Sequence, residues 1–99
     1  MDLVYDAEVQ FAVNLKRYRE AAHLTQEALS QRSGVSTQQI SRIETLKGSP
    51  TVRTVGALAK ALQVEPKYLF AIDYDDEFVR YYLTKIEPQQ KKVAEEDAS

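Results

Sequence analysis

Apolar residues recur along this chain at intervals of three and four and nowhere alternate with polar ones over a sustained stretch, so its elements read as helices. Glycine and proline are scarce, three of each in 99 residues, and act as punctuation. In the first helix Phe11, Leu15, Tyr18 and Ala22 fall at spacings of four, three and four, which sets them on one core-facing side. That helix is expected to end near His23 and Leu24, because Thr25 reads as the next N-cap and Glu27 supplies first-turn acid. A second helix runs from Gln26 to Ser33. Gly34 follows it, free to take the positive φ that reverses the backbone. Ser36 caps a third helix reaching about Thr45, with Ile40 and Ile43 turned inward and Val35 packing just ahead of it.

Residues 47–50 form a loop, and Thr51 caps a fourth helix on which Val52, Val55, Leu58, Ala59 and Leu62 keep helical spacing. Pro66 sits in the first turn of a short fifth helix that delivers Leu69 and Phe70 to the core. Beyond it Asp73, Asp75, Asp76 and Glu77 crowd the start of a sixth helix, where negative charge suits the positive end of the helix dipole. Phe78, Tyr82 and Ile86 line one stripe of that helix, widened by Val79 and Leu83. Pro88 ends it, and residues 89–99 are polar enough for a weak helix or a frayed tail. The expectation is an all-α chain: a five-helix domain over residues 9–70 and a C-terminal helical extension over 73–99.

Ninety-nine residues suffice for one domain and an extension, and are too few for a large layered enzyme. With 43% hydrophobic and 28% charged residues the chain should fold, and with no cysteine it must do so by packing, without disulfides or thiolate zinc sites. No run approaches the ~18 apolar residues of a membrane span, and the start, MDLVYDAE, is acidic where a signal peptide is basic and then apolar. These features predict a cytoplasmic protein with no membrane partner. Net charge is −2, but it is unevenly placed. Residues 12–67 carry nine bases against four acids, flanked by stretches of −3 and −4. A basic centre between acidic ends suits an anionic partner, since binding follows local potential and not the total.

Nothing here assembles an enzyme, a metal site or a cofactor site. His23, the lone histidine, lies at a helix end and reads as a surface or capping imidazole. Counted as a calcium loop from Asp73, the twelfth position is Thr84 where a glutamate is required. What does stand out is a helix, a three-residue turn holding glycine, and a second helix, the arrangement that seats the second helix in the major groove of DNA.

The segment TQEALSQRSGVSTQQISRIE, preceded by LKRYRE and followed by SPTVRTVGALAKALQVEPKYLF, resembles the helix-turn-helix of the phage repressor and Cro (XRE) family over about residues 9–70. The resemblance implies a lambda-repressor-like fold that binds double-stranded DNA through the third helix and needs no cofactor. It implies a partly buried salt bridge between Arg19 and Glu44, and it gives Gln26 a phosphate contact that also braces the recognition helix. With Ile40 and Ile43 turned inward, the outward positions are Thr37, Gln38, Ser41 and Arg42, and these are the expected base readers. A glutamine amide matches adenine and a guanidinium matches guanine. Gln39 falls on the flank. Phosphate grip is expected from Lys47, Ser49, Thr51 and Arg53 together with Gln26, and more weakly from Lys16 and Arg17. One departure stands out: the family has glycine two residues after the glutamate, and this chain has Leu46 there and Gly48 later, so the third helix is expected to end differently.

The aromatics Tyr74, Phe78, Tyr81 and Tyr82 exceed what a five-helix domain needs to close its core; they either lie back on the domain or bury against a second copy of the chain, and the second copy is favoured, with Phe78, Tyr81, Tyr82 and Ile86 at its interface. The expected function is a homodimeric regulator of transcription on a pseudo-palindromic operator. Relatives of this size with an added helix include controller proteins, repressors and antitoxins. The rival expectation is a protein-interaction module, such as an antitoxin, that uses the aromatic stripe to hold a partner protein.

Overall fold

The chain is described by a computed structural model over residues 7–71, with Arg80 and Thr84 beyond them. The elements are α1 (Ala7–Ala21), α2 (Gln26–Ser33), α3 (Thr37–Glu44), α4 (Val52–Leu62) and a 3-10 helix, Pro66–Phe70, with no strand among the described residues. Within the described part of the 9–70 domain, four α-helices and a 3-10 helix stand where five helices were expected. The fifth element is five residues long, opens on a proline that has no N–H, and closes an i→i+3 bond from Tyr68 N–H to the Glu65 carbonyl. The extension over 73–99, with Phe78, Tyr81, Tyr82 and Ile86, lies outside the described residues apart from Arg80 and Thr84.

One core joins every element: Phe11 and Leu15 of α1, Leu29 of α2, Ile40 and Ile43 of α3, Leu58 and Ala59 of α4 and Leu69 of the 3-10 helix are all buried together. The inward spacing of three and four on each helix is what lets short helices share one interior. Two positions depart from the spacing. Ala22 is exposed, because α1 stops at Ala21, and Val52 is 90% exposed, because the first turn of α4 projects past the core. The 3-10 helix is held to α1 by the Phe11 and Phe70 rings, 5.4 Å apart, and by Asn14. Asn14 is buried, and its Nδ2 donates to the carbonyls of Leu69 (3.2 Å), Ala71 (2.9 Å) and Gln10 (3.1 Å). This residue was not singled out in the sequence, where its only signal is a polar side chain three residues from Phe11 on the apolar side of the helix.

The turns carry the folding information. Gly34 adopts φ 79°, and its N–H donates to Ser30 O, closing α2 as the sequence implied. Three other helices end in the same left-handed conformation without glycine. At the end of α1 the chain turns on His23 (φ 58°), with bonds from His23 N to Glu20 O and from Leu24 N to Arg19 O. At the end of α4 it turns on Gln63 (φ 60°), with matching bonds to Lys60 O and Ala59 O. At the end of α3 it turns on Leu46 (φ 61°), with bonds from Leu46 N to Ile43 O and from Lys47 N to Arg42 O. At Leu46, where the departure from the family's glycine falls, the chain takes the left-handed conformation that a glycine would favour.

Candidate nucleic-acid interface

Helix α3 is the element on which the candidate site rests, and its neighbours fix its position on three sides. Ser36 starts it, its hydroxyl accepting from Gln39 N–H at 3.1 Å. At about 100° per residue, Ile40, Ile43 and Glu44 fall on one side and are buried. The opposite arc holds Thr37, Gln38 and Arg42, all exposed, and half-buried Ser41. This is the face expected to read bases, and it is turned to solvent with no core contact to give up.

The C-terminal end of α3 is anchored by charge. Arg19 Nε donates to Glu44 Oε2 at 2.8 Å and Arg19 Nη2 to Oε1 at 2.9 Å, a two-point pair in which both side chains are nearly buried. Arg19 Nη1 donates to the Leu24 carbonyl at 2.8 Å. Gln26 Nε2 adds a bond to Glu44 Oε1 at 3.2 Å. Every buried end of this network is therefore satisfied, as a buried charge requires. It ties the end of α1, the start of α2 and the end of α3 into one unit, and sets the first turn of α2 beside α3.

The other flank is tied to α4. Gln39, at the edge of the arc, donates from Nε2 to Thr54 Oγ1 at 3.4 Å, and Thr54 Oγ1 lies 3.0 Å from Thr51 Oγ1. Thr51 in turn caps α4 by accepting from Thr54 N–H. Thr25 does the same for α2 through Ala28 N–H. The exposed arc of α3 thus runs between two capped helix starts, whose free first-turn amides and positive dipole ends suit phosphate oxygens. Lys47, Ser49, Thr51 and Arg53 are all exposed around the second of them, and Gln26 is half-buried at the first. Lys16, half-buried on α1, pairs with Glu20 at 4.0 Å. Gln39 and Thr54 are the two residues of this arrangement to which the sequence gave no role. A cap followed three residues later by a second threonine was the available signal.

Arg42 is placed differently from its neighbours on the arc. Its Nη2 donates to the Lys47 carbonyl at 2.6 Å.

The sequence profile of the helix-turn-helix family matches residues 15–69, more than half of the chain. Among solved structures, the restriction-modification controller protein C.AhdI from Aeromonas hydrophila is similar, with 32% identity and a TM-score of 0.63, over 67% of this chain and 100% of that one. The hypothetical transcription factor NHTF from Neisseria shares the fold at 22% identity and a TM-score of 0.65, over 72% of this chain and 84% of that one. Among curated proteins there is no significant match. No helix of the described residues is long and apolar enough to cross a membrane.

Proposed function

This chain belongs to the helix-turn-helix family, and from that membership and the geometry of α3 we propose that it is a DNA-binding regulator of transcription whose third helix enters the major groove. The observation that carries the reading is the outward arc of α3, left free of the core while both edges of the helix are pinned by the Glu44 network and by the Gln39–Thr54 bond. Rigid support of a solvent-facing polar helix is what a reading surface needs, because specificity depends on fixed donor and acceptor positions.

Thr37, Gln38 and Ser41 meet base edges. Gln26, Lys47, Ser49, Thr51 and Arg53 grip the phosphates on either side, which gives salt-sensitive affinity that sets register without selecting sequence. Arg42, expected among the readers, lies on the same arc, and its Nη2 donates to the Lys47 carbonyl. An eight-residue helix is about 12 Å long, enough for only a few base pairs, so discrimination within a genome calls for a second copy. The protein acts as a homodimer on a pseudo-palindromic site with half-sites roughly 34 Å apart.

Selection of bound sequences from a random duplex pool tests the reading. The expected result is one enriched half-site in two inverted copies, with the base preference at one position relaxed by Gln38→Ala. A pool that returns unselected despite measurable binding would remove base reading from the account.

A further inference from the structure

The loop between α3 and α4 is held by the one side chain of the outward arc that is not free to read. Residue 47 is bonded to residue 42 twice: Lys47 N–H donates to the Arg42 carbonyl at 2.7 Å, and Arg42 Nη2 donates to the Lys47 carbonyl at 2.6 Å. The Arg42 side chain lies along Gly48, where an added Cβ would sit 3.4 Å from Arg42 Cβ and 3.5 Å from its Nε. Between the two bonded residues is Leu46, held at φ 61°, a conformation that a leucine does not favour. A charge-assisted bond across that turn offsets the conformational cost.

We propose that Arg42 is a positioning residue, a strap that fixes the loop so that Lys47 meets a phosphate, and that it does not read a base. The proposal rests on the DNA-binding reading above. It separates this arginine from Thr37, Gln38 and Ser41, with which its place on the helix would group it. It also gives the Leu46 departure a consequence: where glycine would hold the turn unaided, this chain holds it through a side chain of the recognition helix.

A double-mutant cycle on the full chain tests it, with Arg42→Ala, Lys47→Ala and the pair measured against the selected duplex and against one of unrelated sequence, over a range of salt. Lys47→Ala is expected to weaken both duplexes about fivefold to tenfold at 0.1 M salt and to lower the salt slope by about one phosphate contact. Arg42→Ala is expected to do the same within about twofold, to leave the order of preferred bases unchanged, and to add less than about twofold when combined with Lys47→Ala. Far-UV circular dichroism confirms that each variant remains folded. Losses that multiply in the pair overturn the strap and make Arg42 an independent DNA contact, and a changed base preference in Arg42→Ala overturns it and makes Arg42 a reader. A Lys47→Ala loss with wild-type behaviour in Arg42→Ala overturns the strap alone. If the unaltered protein shows no salt-dependent binding, the DNA-binding reading fails and the strap with it.

Discussion

Removing Arg19 should cost this fold about half its stability, and the magnitude follows from what the side chain leaves behind. Arg19→Met keeps the length and apolar stem but deletes three donated bonds, two to Glu44 and one to the Leu24 carbonyl. The Glu44 side chain is 3% exposed, so water cannot replace them, and the Gln26 amide, at 3.2 Å, carries no charge to balance the carboxylate. Stranding one member of a buried pair costs about 3–5 kcal/mol. A domain of this size has on the order of 3–10 kcal/mol in total. Each kcal/mol moves the thermal midpoint of a small domain by roughly 4–8 °C, so a fall of at least about 12 °C is expected. Urea titration followed by circular dichroism should show the loss as a lower midpoint at unchanged slope. The double variant Arg19→Met with Glu44→Met removes the orphaned charge and should recover part of the loss. A single variant within about 1 kcal/mol of the parent would refute the argument, as would a double variant as unstable as the two singles summed.

Asn14→Leu should destabilise by about 1–3 kcal/mol, because the Leu69 and Ala71 carbonyls lose their donor, and amide exchange should quicken first in residues 66–71; unchanged exchange there would mean that Asn14 does not hold the 3-10 helix. Gly34→Ala meets no atom within 4 Å and should cost only the left-handed conformation, about 1 kcal/mol, whereas a loss beyond about 3 kcal/mol would point to an unseen clash. The converse change at the end of α4, Gln63→Gly, should raise stability by about 0.5–1 kcal/mol, since an exposed side chain is exchanged for relief at φ 60°; a lower thermal midpoint would contradict this. Sedimentation at micromolar concentration should show a species of twice 11.3 kDa, and a monomer alone would end the dimer proposal.

The helices were legible because their signals are local. Thr25, Ser36 and Thr51 each cap the helix expected of them, and the bounds of α2 coincide with the sequence reading. Periodicity also identified the inward residues of α3. It failed at Val52, since spacing shows which residues share a face but not how far the core extends along it. Helix endings were harder. Glycine marks a left-handed terminus only where it occurs, so Gly34 was readable while His23, Leu46 and Gln63 reach the same conformation without it, in turns closed by backbone bonds. Asn14, Gln39 and Thr54 also bond partners 15 to 57 residues distant in the chain, and the local signals at these positions do not say which distant partner each would meet. The bond from Arg42 to Lys47 spans only five residues, yet helical position alone groups Arg42 with Thr37, Gln38 and Ser41.

The central claim is that duplex DNA meets the arc of α3 and the two helix starts beside it. Amide chemical shifts recorded while a selected duplex is titrated into the protein test this most directly, because they locate contact residue by residue. The account predicts the largest changes at Thr37, Gln38 and Ser41, with smaller ones at Gln26 and over residues 47–53, and little change at Tyr68 or Lys60. Changes centred on the ends of α2 and α4 around Arg32 and Lys60, with α3 unmoved, would contradict it.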